Sequence, residues 1–224
     1  MGEKRSSSPV RQAKIWGDTC TSQMKTYKTA AGTLLLRKCC PPSLVERLRA
    51  DEGLRAFGRL PEREHHLLLG IAQRSDCLLT LAYTFSGEIV GQVTLAPASS
   101  WWEGIPNTYE VAVEVSSRWR KLGLAQQLLA CAFEMETLER LVIVGMGLSW
   151  HWDTEALGLS RFRYRAMIER LFATYGFVEY LTSEPNIRMD PANILLVRLG
   201  SKVEQEQVNL FFQRLLQSET LPGL

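Results

Sequence analysis

Residues 113–129, VEVSSRWRKLGLAQQLL, form the stretch whose residue types and spacing point most directly to chemistry. This pattern predicts the end of a strand, a short turn and a helix that has Gly123 at its N-terminus. Free main-chain N–H groups and the helix dipole at such a start favour an anion, and a small residue lets a ligand approach. Arg118, Arg120 and Lys121 add positive charge. We therefore predict an anion-binding turn, for which a pyrophosphate is a reasonable ligand.

The motif inside this turn is Arg-x-x-Gly-x-Ala, formed by Arg120, Gly123 and Ala125. By itself the motif is weak, because a structural glycine between a strand and a helix would look similar. It is neither a Walker loop nor a dinucleotide-binding fingerprint, since both need other glycine spacings. Gly145 and Gly147 supply only a fragment of the latter, and they lie inside a predicted strand.

Two glutamates stand on the strand that leads into the turn. Residues 109–115, YEVAVEV, alternate strictly, so the valines share one face and Glu110, Ala112 and Glu114 share the other. A buried carboxylate is costly unless it is paired or functional. Glu110 and Glu114 are therefore candidates for accepting a proton, and the alternative for each is an ion pair or an exposed position on the sheet.

A second group of candidates follows the apolar run at residues 141–148. His151 and Asp153, in the block Trp-His-Trp-Asp, could accept a proton from an amine. The alternative is that the tryptophans pack and His151 only caps or hydrogen-bonds. Tyr164, further along, could donate a proton or bind the acceptor, or it could simply pack in its helix. With three histidines and no Cys-x-x-Cys pair, no metal site is predicted.

The elements that must position these residues alternate along the chain. Strands are predicted at residues 32–37, 77–85, 88–95, 109–115, 141–148, 177–181 and 194–199. Helices are predicted at residues 43–50, 61–74, 124–136, 160–174 and 203–217. This alternation predicts an α/β sandwich around a mixed sheet. Two features stay open: Trp101 and Trp102 form either a partner surface or the cover of a core edge, and the last helix packs on the domain or serves a partner.

The strand, the Arg-x-x-Gly-x-Ala turn and the helix, in this element order, resemble the acyl-CoA loop of GNAT acetyltransferases. Residues 173–177, ATYGF, resemble the helix-to-strand signature of the same family. The resemblance implies the GNAT fold, a twisted, mixed and mostly antiparallel sheet flanked by helices, with splayed central strands. It also implies acetyl-CoA as cosubstrate and Glu110 as the first choice for the base. Phe172 stands where the family often has a tyrosine, which leaves the general acid open and keeps Tyr164 as a candidate.

The resemblance further implies which residues hold acetyl-CoA. The main-chain amides of the turn would hold the CoA pyrophosphate, and the edge of the preceding strand would pair with pantetheine. The residues concerned are Val113, Val115, Arg118, Arg120, Lys121, Leu122, Gly123, Leu124 and Ala125.

Three more segments resemble the bacterial acetoin-utilisation protein acetyltransferases, the AcuA family. They are the Trp-x-Glu-Gly at 101–104, the Trp-His-Trp-Asp block with the Phe-x-Tyr-Arg at 162–165, and the Asp-Pro-Ala-Asn at 190–193. The narrower resemblance implies acetylation of a lysine on acetyl-CoA synthetase, which inactivates that enzyme, in bacterial acetoin or acetate metabolism. The alternatives are a small-molecule amine acetyltransferase and a non-catalytic acetyl-CoA sensor.

Composition sets the remaining expectations. The formal charge is +2, and residues 1–14 alone carry a net charge of about +3, so the rest of the chain is close to neutral; this argues against a nucleic-acid partner. No apolar run is long enough for a membrane span, and the first residues do not resemble a secretory signal, so a cytoplasmic location is expected. We predict a flexible basic tail at residues 1–24, an acetyltransferase domain at 25–201, and a C-terminal amphipathic helix and tail at 202–224 that pack on the domain.

Overall fold

The computed structural model describes Trp16, residues 23–98 and residues 100–217. The strands are β1 (Met24–Thr29), β2 (Gly32–Arg37), β3 (Arg49–Ala50), β4 (Leu78–Thr84), β5 (Glu88–Pro97), β6 (Thr108–Val115), β7 (Val142–Gly147), β8 (Val178–Glu179) and β9 (Ile194–Leu199). The helices are α1 (Pro42–Val45), α2 (Pro61–Gln73), α3 (Leu124–Phe133), α4 (Thr154–Leu157), α5 (Arg161–Ala173), α6 (Pro185–Arg188) and α7 (Gln205–Leu215).

The strands form one sheet in the order β1-β2-β4-β5-β6-β7-β9-β8, and β3 adds to β5 in parallel. All neighbours along the main path are antiparallel except β6 and β7. The predicted mixed, mostly antiparallel sheet flanked by helices is therefore confirmed. The strand β1 was not predicted, because MKTYKT is polar and lies exposed at the sheet edge. The predicted helix at 43–50 ends early, because the chain turns into β3.

The central pair of strands diverges. The strands β5 and β6 pair over seven residues, whereas β6 and β7 pair only at Thr108, Tyr109 and Glu110 of β6. Beyond Glu110, β6 runs on to Val115 and β7 runs on to Gly147 with no ladder between them. The predicted splay of the central strands is thus present, and it opens a cleft whose vertex is Glu110.

The two faces of the sheet are covered differently. On one face, the leucines of α3 and Phe172 of α5 pack with Val111 and Ile143 in a single core. On the other face there are two separate clusters. One lies under α1 and α2 and includes Leu68, and the other lies under α7 and includes Phe211. The carboxylate face of β6 belongs to this second side of the sheet.

The C-terminal helix α7 contributes to the second of these clusters. Phe211 is buried and stacks on the buried ring of Trp102, with the ring centroids 5.2 Å apart. Trp102 therefore covers a core edge and is not available as a partner surface. Of the predicted N-terminal tail, only Trp16 and residues 23 and 24 lie among the described residues. Trp16 is buried against Tyr109 and donates from Nε1 to the carbonyl of Asp76 at 2.9 Å.

Within the described ranges, no helix combines the length and the apolar character that a membrane crossing requires.

Candidate active site

The turn after β6 is built on a buried aspartate. Ser116 donates from Oγ to Asp51 Oδ1 at 2.6 Å, and the guanidinium of Arg118 forms an ion pair with the same carboxylate. Burial alone would raise the pKa of Asp51, but hydrogen bonds from Ser116, Arg118 and the Gly53 N–H outweigh it and hold the pKa below its usual range. The turn is thereby fixed to the segment that follows β3.

The start of α3 presents unused donors. Lys121 and Gly123 both adopt positive φ, 61° and 73°, which turns the main chain sharply into the helix. The main-chain N–H groups of residues 121–125 donate to no acceptor within the part of the chain that the structure describes. The carbonyl of Leu122 points the other way and accepts from the hydroxyl of Tyr27 at 2.6 Å. These residues form a cradle of free N–H groups at a helix N-terminus, the arrangement that favours an anion, and anion binding here stays a prediction.

Gly123 is required at this turn for a reason besides its φ. A Cβ there would lie 3.0 Å from the hydroxyl oxygen of Tyr27. Any larger residue would press on the bond that orients the Leu122 carbonyl. The side chain of Leu124 is buried in the core, so only the main chain of that residue faces the cradle.

Of the predicted pantetheine edge, Val113 and Val115 lie on the part of β6 beyond the splay. Their neighbour on one side is β5, where they pair with Val93 and Gly91. On the side toward β7, no ladder partner occurs among the described residues. The strand therefore offers a free main-chain edge along the cleft.

The segment after β7 crosses the cleft toward this turn. Asp153 forms an ion pair with Arg120, whose Nε also donates to the carbonyl of Val115 at 3.4 Å. Trp152 stacks on Tyr164, with centroids 5.1 Å apart and ring planes 10° from parallel. The Trp-His-Trp-Asp block is thus tied to both the end of β6 and the helix α5.

His151 and Asp153 have different partners. His151 Nδ1 lies 2.8 Å from the carbonyl oxygen of Ala56, whereas Asp153 is engaged by Arg120. The structure does not join the two side chains as a hydrogen-bonded couple. The ring of His151 is exposed and lies between Phe57 and Trp150, at centroid distances of 5.4 and 6.0 Å.

Glu110 occupies the vertex of the cleft, opposite Val144 at the last paired position. Its side chain is half-buried. Burial, and secondarily the nearby Glu184 carboxylate, raises the pKa of Glu110 above its usual range. A carboxylate with a raised pKa is a better proton acceptor.

Glu114 is more deeply buried than Glu110, and its carboxylate already accepts main-chain hydrogen bonds. Its Oε1 accepts from the N–H groups of Arg55 and Ala56 at 2.6 and 2.8 Å. Burial, and secondarily the carboxyl of Glu64, raises the pKa of Glu114 to about 7. Glu64 escaped the sequence analysis because an acidic residue in the first turn of a helix is ordinary there.

Tyr164 lies close to the charged groups of the cleft. Burial raises the pKa of its phenol, Arg120 lowers it, and Asp153 and Glu114 raise it further. Four predicted site residues, Glu114, Arg120, Asp153 and Tyr164, therefore lie together. Phe172 is buried in the core against Phe177, at a centroid distance of 5.0 Å, and has no part in the cleft. The described residues contain no cluster of side chains suited to a metal ion.

Comparison with known proteins gives relatives that span nearly the whole chain. No protein-family model matches it. The acetoin utilization protein AcuA of Bacillus licheniformis is 30% identical over 196 residues, which is 85% of this chain and 92% of that protein. The AcuA of Bacillus subtilis is 31% identical over 197 residues, 84% of this chain and 93% of that protein.

A crystal structure shows the same likeness in three dimensions. The acetoin utilization protein from Exiguobacterium sibiricum has a TM-score of 0.83 to this chain and 29% identity. The match covers 88% of this chain and 94% of that one. The chain therefore belongs to the AcuA family and has the GNAT acyltransferase fold, with its central strands splayed at Glu110.

Proposed function

We propose that this GNAT-type acyltransferase transfers the acetyl group of acetyl-CoA to a lysine side chain of a protein, and that the protein is acetyl-CoA synthetase. The observation that carries the proposal is the cleft between β6 and β7. It has free N–H groups at one end, a free strand edge along its length and a carboxylate at its vertex. The names of the relatives support a role in acetoin utilisation.

The cleft residues fit acetyl-CoA. The N–H groups of residues 121–125 would bind the pyrophosphate, because a helix start stabilises negative charge. The edge of β6 at Val113 and Val115 would hydrogen-bond the pantetheine amides. Lys121 is exposed and free to add charge, while Arg118 and Arg120 act through the ion pairs that hold the turn. When bound, acetyl-CoA supplies an activated thioester carbonyl.

Glu110 is the residue to which we assign proton removal from the acceptor. A lysine amine has a reference pKa of about 10.4, so it must lose a proton before its nitrogen can attack. Glu110 would take this proton directly or through water, since its burial keeps its basicity high. The new C–N bond forms as the C–S bond breaks, and the thiolate needs a proton in return.

Tyr164 is the candidate for returning that proton. Its raised pKa keeps the phenol protonated at neutral pH, and the nearby Arg120 would stabilise the phenolate after transfer. Asp153 orients Arg120 through their ion pair, so its role in this scheme is to position.

A protein acceptor is favoured by the surface beside the cleft. Trp150 is 49% exposed and Phe57 is 38% exposed, with the ring of His151 between them. Exposed aromatic side chains are typical anchors for a protein partner. A small-molecule amine would instead favour an enclosed pocket, and a sensor would need no base at the vertex.

The decisive test is to incubate the protein with acetyl-CoA and a bacterial acetyl-CoA synthetase and to follow intact mass and synthetase activity. We expect a mass increase of one acetyl group with loss of activity. Glu110→Gln should slow the transfer by about 10²- to 10⁴-fold, whereas Glu206→Gln, an exposed site on α7, should leave the rate unchanged. If the synthetase stays unmodified while acetyl-CoA still raises the melting temperature, acetyl-CoA synthetase is not the acceptor. A small-molecule acetyltransferase or an acetyl-CoA sensor then becomes the better hypothesis.

A further inference from the structure

A pair of buried carboxyl groups lies beneath the chain segment 55–58, which we call the strap. Glu64 of α2 is 1% exposed and Glu114 of β6 is 7% exposed. Glu64 Oε2 accepts from the N–H of Gly58 at 2.6 Å, and Glu114 Oε1 accepts from the N–H groups of Arg55 and Ala56. The two glutamates therefore hold the strap by three main-chain hydrogen bonds.

The buried patch around this pair is short of hydrogen-bond donors. Glu114 Oε2 and Gln92 Oε1 are both buried acceptors without a donor among the described residues. Gln92 lies directly opposite Glu114 in the β5–β6 ladder, so both side chains stand on the same face. Leaving a buried acceptor unsatisfied is costly, and two ionised carboxylates would also repel each other. One proton held between Glu64 and Glu114 supplies a donor and removes the repulsion.

The strap also contacts the segment after β7, through the main-chain carbonyl of Ala56. The carbonyl of Ala56 can only accept, so Nδ1 of His151 carries the hydrogen in their 2.8 Å contact. In the neutral ring this leaves Nε2 as an acceptor on the exposed side. The strap thus links β6 to the segment after β7, and it sets the orientation of His151 between Phe57 and Trp150.

We propose that Glu64 and Glu114 share a single proton, and that this proton holds the strap and thereby orients His151 at the acceptor entrance. Glu64 is then a positioning residue for the transfer. Its effect on catalysis rests on the function proposed above, whereas the shared proton does not.

The groups around the pair explain why it would lose its proton only near neutral pH. Glu64 faces Glu114 from α2, Tyr164 faces it from α5, and the neutral Gln92 stands beside it on β5. Burial and the facing carboxyl raise the pKa of Glu114. As pH rises, the pair loses its proton, the repulsion returns and the strap loosens.

Glu64→Gln tests this directly. The amide oxygen can still accept from Gly58, and the amide N–H gives Glu114 Oε2 a permanent donor. Assayed with acetyl-CoA and the synthetase from about pH 6 to about pH 8.5, the wild-type protein should show a KM for the synthetase that rises several-fold while kcat changes little. Glu64→Gln should flatten that rise, whereas Glu64→Ala should raise KM throughout. Glu62→Gln, an exposed site on the same helix, should keep the wild-type profile.

A second measurement works without any acceptor. In protein labelled with carboxyl-13C glutamate, NMR titration should show a carboxyl group that stays protonated to near neutral pH, and Glu64→Gln should remove it. If every glutamate titrates below about pH 5, or if Glu64→Gln keeps the wild-type KM profile, the shared proton is refuted. If the synthetase is not acetylated at all, the NMR titration still decides the question of the pair.

Discussion

Replacing Gly123 by alanine tests the anion cradle at the start of α3. Gly123 has a φ of 73°, and a Cβ there would meet the Tyr27 hydroxyl oxygen at 3.0 Å. The substitution should therefore disturb the turn in two ways, through its backbone conformation and through the bond between Tyr27 and Leu122. Both effects should fall on the N–H groups that we assign to the pyrophosphate.

The expected loss of acetyl-CoA affinity follows from the energies of these two effects. A non-glycine residue in the left-handed region costs about 1 kcal/mol or somewhat more. Displacing Tyr27 weakens its 2.6 Å hydrogen bond to Leu122, which is worth about 1 kcal/mol. Together they give roughly 2–3 kcal/mol, and if the turn relaxes to avoid this cost, acetyl-CoA affinity should fall by roughly 30- to 150-fold.

Two variants separate these terms. Gly158→Ala meets the same kind of φ, 62°, but no atom lies within 4 Å of the new Cβ. It should lower the free energy of unfolding by about 1 kcal/mol without changing acetyl-CoA affinity. Tyr27→Phe removes the hydrogen bond alone and should give an intermediate loss of affinity. Calorimetric titration with acetyl-CoA and urea unfolding measure the two quantities.

Pyrophosphate binding at this turn would be refuted if Gly123→Ala bound acetyl-CoA as tightly as the wild-type protein while losing stability like Gly158→Ala. The turn would then be a structural connection, and the ligand would have to bind elsewhere along the cleft.

Three further predictions concern Glu110 at the vertex, the pair formed by Glu64 and Glu114, and two tryptophans, the buried Trp102 and the exposed Trp150. Glu110→Gln should lower kcat by about 10²- to 10⁴-fold with little change in acetyl-CoA affinity, as measured by steady-state kinetics and calorimetry. Because the folded-state pKa of Glu114 is raised from 4.5 to about 7, its contribution to stability is complete below about pH 4.5 and is lost as pH rises to about 7. Urea unfolding should show a loss on the order of 2–3 kcal/mol over that interval, and Glu64→Gln should reduce it. Trp102→Ala should cost about 3–5 kcal/mol of stability. Trp150→Ala should leave stability within about 0.5 kcal/mol but raise KM for the synthetase.

The sequence predicted those parts of the fold whose signals are local. The alternation in 109–115 placed Val111 in the core and Glu114 on the opposite face, and the apolar spacing of α3 matched its buried side. The edge strand β1 has no such signal, since a strand at the border of a sheet can be polar throughout. The splay at Glu110 was expected only from the family resemblance, because no residue pattern encodes where two strands part.

The local sequence pattern could not predict which side chains the candidate site residues would contact, for a different reason. Glu64 and Glu114 are fifty residues apart in sequence, and they come close only because α2 and the strap pack over β6. The same holds for Arg120 and Asp153, which come from opposite sides of the cleft. The residue types at the site were predictable, but their pairing is a product of the tertiary fold.

The early parting of β6 and β7 has a consequence for the lifetime of the protein in a cell. Where two central strands part, each has an unpaired edge. The main-chain amides along these edges can exchange hydrogen with solvent, and local unfolding there exposes the chain to proteases. A ligand that fills the opening acts as a missing strand, and at 100 times its dissociation constant it would add about 2.7 kcal/mol of stability. If acetyl-CoA is that ligand, abundance of this protein should follow the metabolite: persistent when acetyl-CoA is plentiful, and more rapidly degraded when the supply falls.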